Sequence, residues 1–105
     1  MPRELPPINP YEPALFGAEL SEDIPQLDLH GMRAHLAESE LDAFVQRTFM
    51  DGEEAIKIIH GRGTGVLKAL VEEYLRANDQ LIASFRGSTQ PHEQGAVIVA
   101  ILYKK

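Results

Sequence analysis

The chain has 105 residues, of which 44% are apolar and 25% charged, as in an ordinary globular protein. This length predicts one domain, and the absence of cysteine excludes disulfides, thiolate zinc sites and a cysteine nucleophile. The net charge of −6, taken alone, argues against a nucleic-acid surface. Neither a signal peptide nor an apolar run of about 20 residues is indicated, so we expect a cytoplasmic protein without membrane contact.

The first 25 residues differ in composition from the rest. They hold six of the seven prolines, and their one arginine against five acidic residues gives a net charge of −4. Proline lacks a backbone donor and disfavours helix, so we predict that residues 1–21 form an irregular arm. We therefore divide the chain into a proline-rich acidic N-terminal arm, residues 1–25, and a domain, residues 26–105. Apolar side chains could anchor the arm on the domain: Ile8, Tyr11, Leu15, Phe16 and Leu20.

From Gln26 onwards the hydrophobic pattern becomes regular. Alternation of period two and buried apolar runs predict strands at 26–30, 55–60, 81–86 and 96–103, and apolar stripes at helical spacing predict helices at 33–50 and 67–78. The order is β-α-β-α-β-β. Because parallel crossovers are right-handed, both helices should lie on one face of the sheet, which gives a two-layer α/β sandwich.

A cationic rim is predicted at one edge of this sheet. If the first three strands run parallel, the loops that follow them lie along the edge where open α/β sheets bind ligands. These loops hold three arginines, Arg33, Arg62 and Arg86, and three of the four histidines. Guanidinium groups match the oxygens of phosphate, so a locally cationic site is compatible with an acidic protein.

The run IIHGRGTGVL, residues 58–67, places three glycines between a strand and a helix. Bare backbone and a helix start suit an anion, because peptide N–H groups can approach it closely. The spacing G-x-G-x-G matches neither a P-loop nor a dinucleotide fingerprint, so on spacing alone a tight structural turn is equally compatible.

Two histidines, His30 and His60, end neighbouring strands and could act as acid and base on a phosphodiester. Asp28 lies on the same strand face as His30. The carboxylate could orient this imidazole, or all three groups could bind a divalent metal ion. A strand-end histidine is also often only a hydrogen-bonded turn residue. We assign His35 to the surface, and no zinc-ligand spacing is present.

Two sequence motifs resemble those of a known family. DLHG at residues 28–31 and IHGRGTG at residues 59–65, each followed by a helix, resemble the small MutS-related (Smr) domain over about residues 26–102. The resemblance implies a four-stranded mixed sheet of order 1-2-4-3 with strand four antiparallel. It also implies a fold similar to that of the C-terminal domain of translation initiation factor three.

The resemblance also implies nucleic-acid binding and, in many members, endonuclease activity on DNA or RNA, including messenger RNA on stalled ribosomes. The family assigns its D-L-H-G motif to catalysis and its H-G-[KR]-G motif to binding or catalysis. We therefore predict Asp28, His30 and His60 as catalytic residues. The predicted nucleic-acid contacts are Gly31, Arg33, Gly61, Arg62, Gly63, Thr64 and Arg86.

One turn departs from the family pattern. The family has G-G-x-G-[AV] before the last strand, whereas this chain has His92 and Glu93 at the first two glycine positions. We expect these side chains to change substrate access at this corner and to lower or redirect activity.

Three functions stay open on the sequence alone. A nuclease acting on structured RNA would need no metal, whereas one acting on DNA would need a water molecule and a divalent ion. The alternatives are a nucleic-acid-binding module without catalysis and a protein-interaction module that uses the N-terminal arm. The oligomeric state is not predicted.

Overall fold

The computed structural model describes residues 9–105, which form one four-stranded sheet and three helices. The sheet has the order β1-β2-β4-β3, in which β1 and β2 are parallel and β4 is antiparallel to both of its neighbours. The predicted mixed sheet and its 1-2-4-3 order are therefore confirmed. The elements are α1 (Glu12–Leu20), β1 (Gln26–Asp28), α2 (Ala34–Met50), β2 (Ala55–Ile59), α3 (Val66–Ala77), β3 (Ile82–Gly87) and β4 (Val97–Leu102).

The main core lies between the sheet and the helices α2 and α3. Alternate side chains of β2 and β4 point toward these helices, since a strand directs successive side chains to opposite faces. The two predicted helices thus cover one face of the sheet. Core residues on this side include Leu41, Phe44, Ile56, Ile58, Val71, Leu75 and Ile98.

The prediction of an irregular N-terminal arm was wrong for residues 12–20, which form α1. Pro13 is tolerated because it lies in the first turn, where backbone N–H groups have no helical partner. Leu15 and Ala18 pack on the sheet face opposite α2 and α3, against Val99 and Ile101. The sheet is therefore covered on both faces, and α1 belongs to its second core.

The predicted apolar anchors of this segment divide into buried and exposed residues. The Leu15 side chain is fully buried and Tyr11 packs at the margin of the second core. Phe16 and Leu20 are about half exposed, at 50% and 54%. Ile8 lies outside the described residues.

A buried carboxylate joins α1 to the segment between β3 and β4. Glu19 is 2% exposed and accepts hydrogen bonds from Arg86 Nη1 (2.6 Å), Thr89 N (3.0 Å), the Thr89 hydroxyl and Gln90 Nε2 (2.9 Å). Burial by itself raises the pKa of Glu19, but these hydrogen bonds outweigh it and hold the pKa at about 2. Glu19 is therefore ionised at neutral pH.

Within residues 9–105, no helix is both long and apolar enough to span a membrane.

Candidate functional site

The two motif loops meet at the carboxyl ends of β1 and β2. Asp28 is paired with Ile59 in the parallel register, and Leu29 N donates to Ile59 O at 2.7 Å just beyond it. The loops enclose an open cleft of about 460 Å³ against the start of α3. Its lining contains seven of the predicted site residues, namely His30, Gly31, His60, Gly61, Arg62, Gly63 and Thr64.

Gly61 brings the two motifs into direct contact. Its φ of +82° lies in the left-handed region, and a Cβ added there would come within 2.7 Å of the His30 Cβ. Only glycine lets the second loop pass this close to the first histidine.

Replacing Gly61 by alanine should lower the free energy of unfolding by about 2 kcal/mol, because it combines a strained φ with an overlap. Gly63→Ala is a matched control in the same loop, since Gly63 has an ordinary φ and no atom within 4 Å of an added Cβ. We expect it to change stability by less than about 0.5 kcal/mol. Denaturant unfolding measures both, and equal effects would contradict the contact.

His30 is held by Asp28. Its Nδ1 donates to Asp28 Oδ1 at 2.6 Å, and its backbone N donates to the same oxygen at 3.0 Å. The hydrogen bond from the His30 ring is the main cause that lowers the pKa of Asp28, which keeps the carboxylate ionised. With Nδ1 occupied as the donor, Nε2 is the nitrogen of His30 left for a substrate.

His60 is in a different environment, because only 5% of its surface is exposed. Its Nδ1 donates to the carbonyl oxygen of Gly61 at 2.9 Å. Burial lowers the pKa of His60, and the positive charge of Lys68 lowers it further. The hydrogen bond to Gly61 raises this pKa but does not outweigh burial. The imidazole is therefore neutral at pH 7, and its Nε2 is an acceptor, as a general base requires.

Positive charge enters the cleft from Arg62, Lys68 and the N-terminus of α3. Arg62 is exposed and donates from Nη2 to Gln94 O at 2.9 Å and to His92 O at 3.3 Å. The first turn of α3 adds peptide N–H groups that lack helical acceptors. Lys68 was not predicted as a site residue, although a lysine three residues into a helix that starts at a glycine loop is a usable signal.

Two predicted arginines do not line the cleft. Arg86 pairs with Val99 in the β3–β4 register, so it points to the face that carries α1. There it forms ion pairs with Glu12 and Glu19, each at 2.6 Å. The geometry thus separates Arg86 from the predicted rim, because α1 supplies two carboxylates that the sequence pattern did not place. Arg33 is exposed at the N-cap of α2.

The Glu93 side chain does not line the cleft, so the expected change of substrate access at this corner does not come from it. The Glu93 carboxylate accepts from Lys57 Nζ at 2.9 Å and from Ser88 Oγ at 2.7 Å. Lys57 alternates with the core residues Ile56 and Ile58, so this pair lies on the α1 side of the sheet. The acidic side chain therefore points away from the cleft, and the turn meets it through backbone carbonyls.

The metal alternative for Asp28, His30 and His60 gains no support from geometry. Across residues 9–105, no three or more His, Cys, Asp or Glu side chains are arranged to hold a metal ion. Asp28 uses one oxygen on His30, and His60 Nδ1 is a donor to a carbonyl. The arrangement suits proton transfer and anion binding.

The chain is similar to known proteins over most of its length. The Smr domain family model matches residues 27–102. An endonuclease MutS2 of Solidesulfovibrio magneticus is 45% identical over 69 residues, which cover 66% of this chain and 8% of that protein. The endonuclease MutS2 of Lactiplantibacillus plantarum is 31% identical over 94 residues, or 85% of this chain and 12% of the relative. The chain thus spans about a tenth of the length of these relatives.

Two solved structures share the fold. The Smr domain of Thermus thermophilus MutS2 superposes with a TM-score of 0.71 at 26% identity, covering 76% of this chain and 99% of that one. YdaL, a stand-alone small MutS-related protein of Escherichia coli, superposes with a TM-score of 0.74 at 19% identity, covering 89% of this chain and 77% of that one. The family model, the MutS2 relatives and the shared fold agree, and the chain belongs to the Smr domain family.

Proposed function

We propose that this protein is an endonuclease that cleaves phosphodiester bonds in structured RNA or DNA. The observation that carries the proposal is that two imidazoles in different environments line one cationic cleft. His60 is buried and neutral, whereas His30 is exposed and backed by a carboxylate. The MutS2 relatives are named endonucleases, which supports the same reaction class.

On RNA, His60 acts as the general base and His30 as the general acid. Nε2 of His60 takes the proton of a 2′-hydroxyl, and the 2′-oxygen attacks the adjacent phosphorus. The bond from phosphorus to the 5′-oxygen breaks, and protonated His30 gives its proton to that oxygen. The products are a 2′,3′-cyclic phosphate and a 5′-hydroxyl.

The cleft also stabilises charge on the phosphate during this reaction. Arg62, Lys68 and the N–H groups at the start of α3 all face the same space as the histidines. Donors fixed in this way stabilise the negative charge that develops on the non-bridging oxygens. DNA has no 2′-hydroxyl, so its cleavage would need a water molecule and a divalent ion bound in part by the substrate.

A second candidate is a nucleic-acid-binding module without catalysis. The turn before β4 favours it, because its carbonyls at His92 and Gln94 already engage Arg62. Such a module would still bind phosphate, so its affinity should fall as salt rises, with a slope of about −0.9 per contact to a duplex phosphate. Exposed Phe16 and Leu20 on α1 would favour a protein partner instead. Ribosome association and a cytoplasmic location stay predictions.

The decisive assay incubates the protein with labelled hairpin RNA and with branched DNA, each with Mg²⁺ or with a chelator. We expect RNA cleavage that persists in chelator and leaves 2′,3′-cyclic phosphate ends. Cleavage of DNA only in Mg²⁺ would assign a hydrolytic nuclease. Salt-dependent binding without cleavage of either substrate would overturn the endonuclease proposal in favour of the binding module.

A further inference from the structure

The segment between β3 and β4, residues 88–95, connects the two sides of the sheet. We call it the β3–β4 turn. On the cleft side, its carbonyls at His92 and Gln94 accept hydrogen bonds from Arg62 Nη2. On the α1 side, the same turn is fastened by buried charge. It therefore offers a physical connection from the second core to the cleft.

The fastening on the α1 side is an ion pair withdrawn from water. The side chains of Lys57 and Glu93 are only 6% and 14% exposed, and their charged atoms lie 2.9 Å apart. Ser88 adds a hydrogen bond to the other carboxylate oxygen at 2.7 Å. Separating the two charges would leave each of them buried without a partner, which is strongly unfavourable. The pair therefore fixes the position of the backbone at Glu93.

A second buried carboxylate fixes the start of the turn. Glu19 of α1 accepts from the backbone of Thr89 and from the side chains of Thr89 and Gln90. The turn is thus held at Thr89 and Gln90 by Glu19 and at Glu93 by Lys57. The two carbonyls that meet Arg62 directly flank Glu93 in sequence.

We propose that Glu93 is a positioning residue for Arg62. The Lys57–Glu93 pair fixes the β3–β4 turn, and the turn holds the Arg62 guanidinium at the cleft before a phosphate arrives. An exposed arginine otherwise loses its rotamer freedom on binding. Nη2 is occupied by the two carbonyls, so Nε and Nη1 are the donors left for phosphate oxygens. This inference rests on the proposed function for its ligand, a nucleic-acid phosphate.

The test is a double-mutant cycle between Glu93 and Arg62, read as affinity for a labelled hairpin RNA in chelator at low salt. Glu93→Gln should weaken binding about two- to tenfold, the range set by immobilising one long side chain. Arg62→Ala should weaken it about tenfold or more. In the Arg62→Ala background, Glu93→Gln should have no further effect, because its action passes through Arg62.

Two further variants separate positioning from general stability. The double variant Lys57→Met/Glu93→Gln removes the charge of both partners. Because no buried charge is left unpaired, the double variant should fold even where Glu93→Gln alone does not. It should weaken RNA binding as much as Glu93→Gln does. Glu54→Gln removes an acid from an exposed ion pair with Lys104 and should leave affinity unchanged. Equal losses from Glu93→Gln with and without Arg62 would overturn the proposal.

A readout without RNA keeps this inference distinct from the proposed function. The Nε–Hε group of Arg62, followed by NMR relaxation, should be ordered in the parent and mobile in both Glu93 variants. Suppose that Arg62 is ordered in the parent and mobile in Glu93→Gln, but that the parent protein binds neither RNA nor DNA. The proposed function then fails and the positioning of Arg62 by Glu93 stands. An Arg62 side chain equally ordered in parent and variants would overturn the positioning itself.

Discussion

Replacing His60 by alanine should lower the rate of RNA cleavage by about 10²- to 10⁴-fold, the contribution usual for a general base. We expect the fold to be kept, because the only side-chain hydrogen bond described for His60 is to the carbonyl of its neighbour Gly61. Single-turnover cleavage of a labelled hairpin RNA measures the effect. His30→Ala should cause a loss of similar size, and the two losses should not add when both histidines are removed.

The matched control for this prediction is His35→Ala, which removes an exposed histidine in the first turn of α2. It should leave the cleavage rate unchanged. The pH profile gives a second check, because the lowered pKa of His60 places the acidic limb of kcat/KM below pH 6.5. If His60→Ala cleaves as fast as the parent, His60 is not the base.

Replacing Glu19 by alanine should lower the free energy of unfolding by about 3 kcal/mol and the Tm by about 10 to 20 °C. The change leaves Arg86 and the donors of Thr89 and Gln90 without their shared acceptor in a buried position. Glu12→Ala is the control, since Glu12 pairs with the same arginine but its side chain is 48% exposed. We expect it to cost less than about 1 kcal/mol.

The same carboxylate should make the protein sensitive to acid. The pKa of Glu19 is about 2 in the folded protein, below its ordinary value of 4.5, so its stabilising contribution is complete above pH 4.5 and is lost as the pH falls toward 2. Denaturant unfolding at pH 7, 5, 4 and 3 should show the parent approaching Glu19→Ala as the pH drops. Parallel curves for the two proteins across this range would contradict the assignment.

The cleft could be predicted from sequence because its residues follow directly from strand order. Asp28, His30, His60 and Arg62 lie at the ends of β1 and β2, and adjacent parallel strands bring their carboxyl ends together. The contact of Gly61 with His30 depends only on this local geometry. Periodicity also located each strand of the sheet and the helices α2 and α3.

The second face of the sheet could not be predicted in the same way. The helix α1 was hidden by proline density, since only Pro13 lies inside it and at a position where helices accept proline. The pairing of Arg86 with Glu19 joins residues far apart in sequence, which no local pattern reveals. The ion pair between Glu93 and Lys57 was missed for the same reason, since its two residues are also far apart in sequence. Lys57 is in addition a charged residue inside an apolar strand.

We expect a phosphodiester to bind in the cleft between the two motif loops. NMR titration with a hairpin RNA whose 2′-hydroxyls are methylated tests it directly, because this RNA can bind but cannot be cleaved by 2′-hydroxyl attack. We predict that the largest amide shifts fall on residues 30–32 and 60–68. Shifts concentrated on α1 and the second sheet face, with these two loops unchanged, would contradict binding in the cleft.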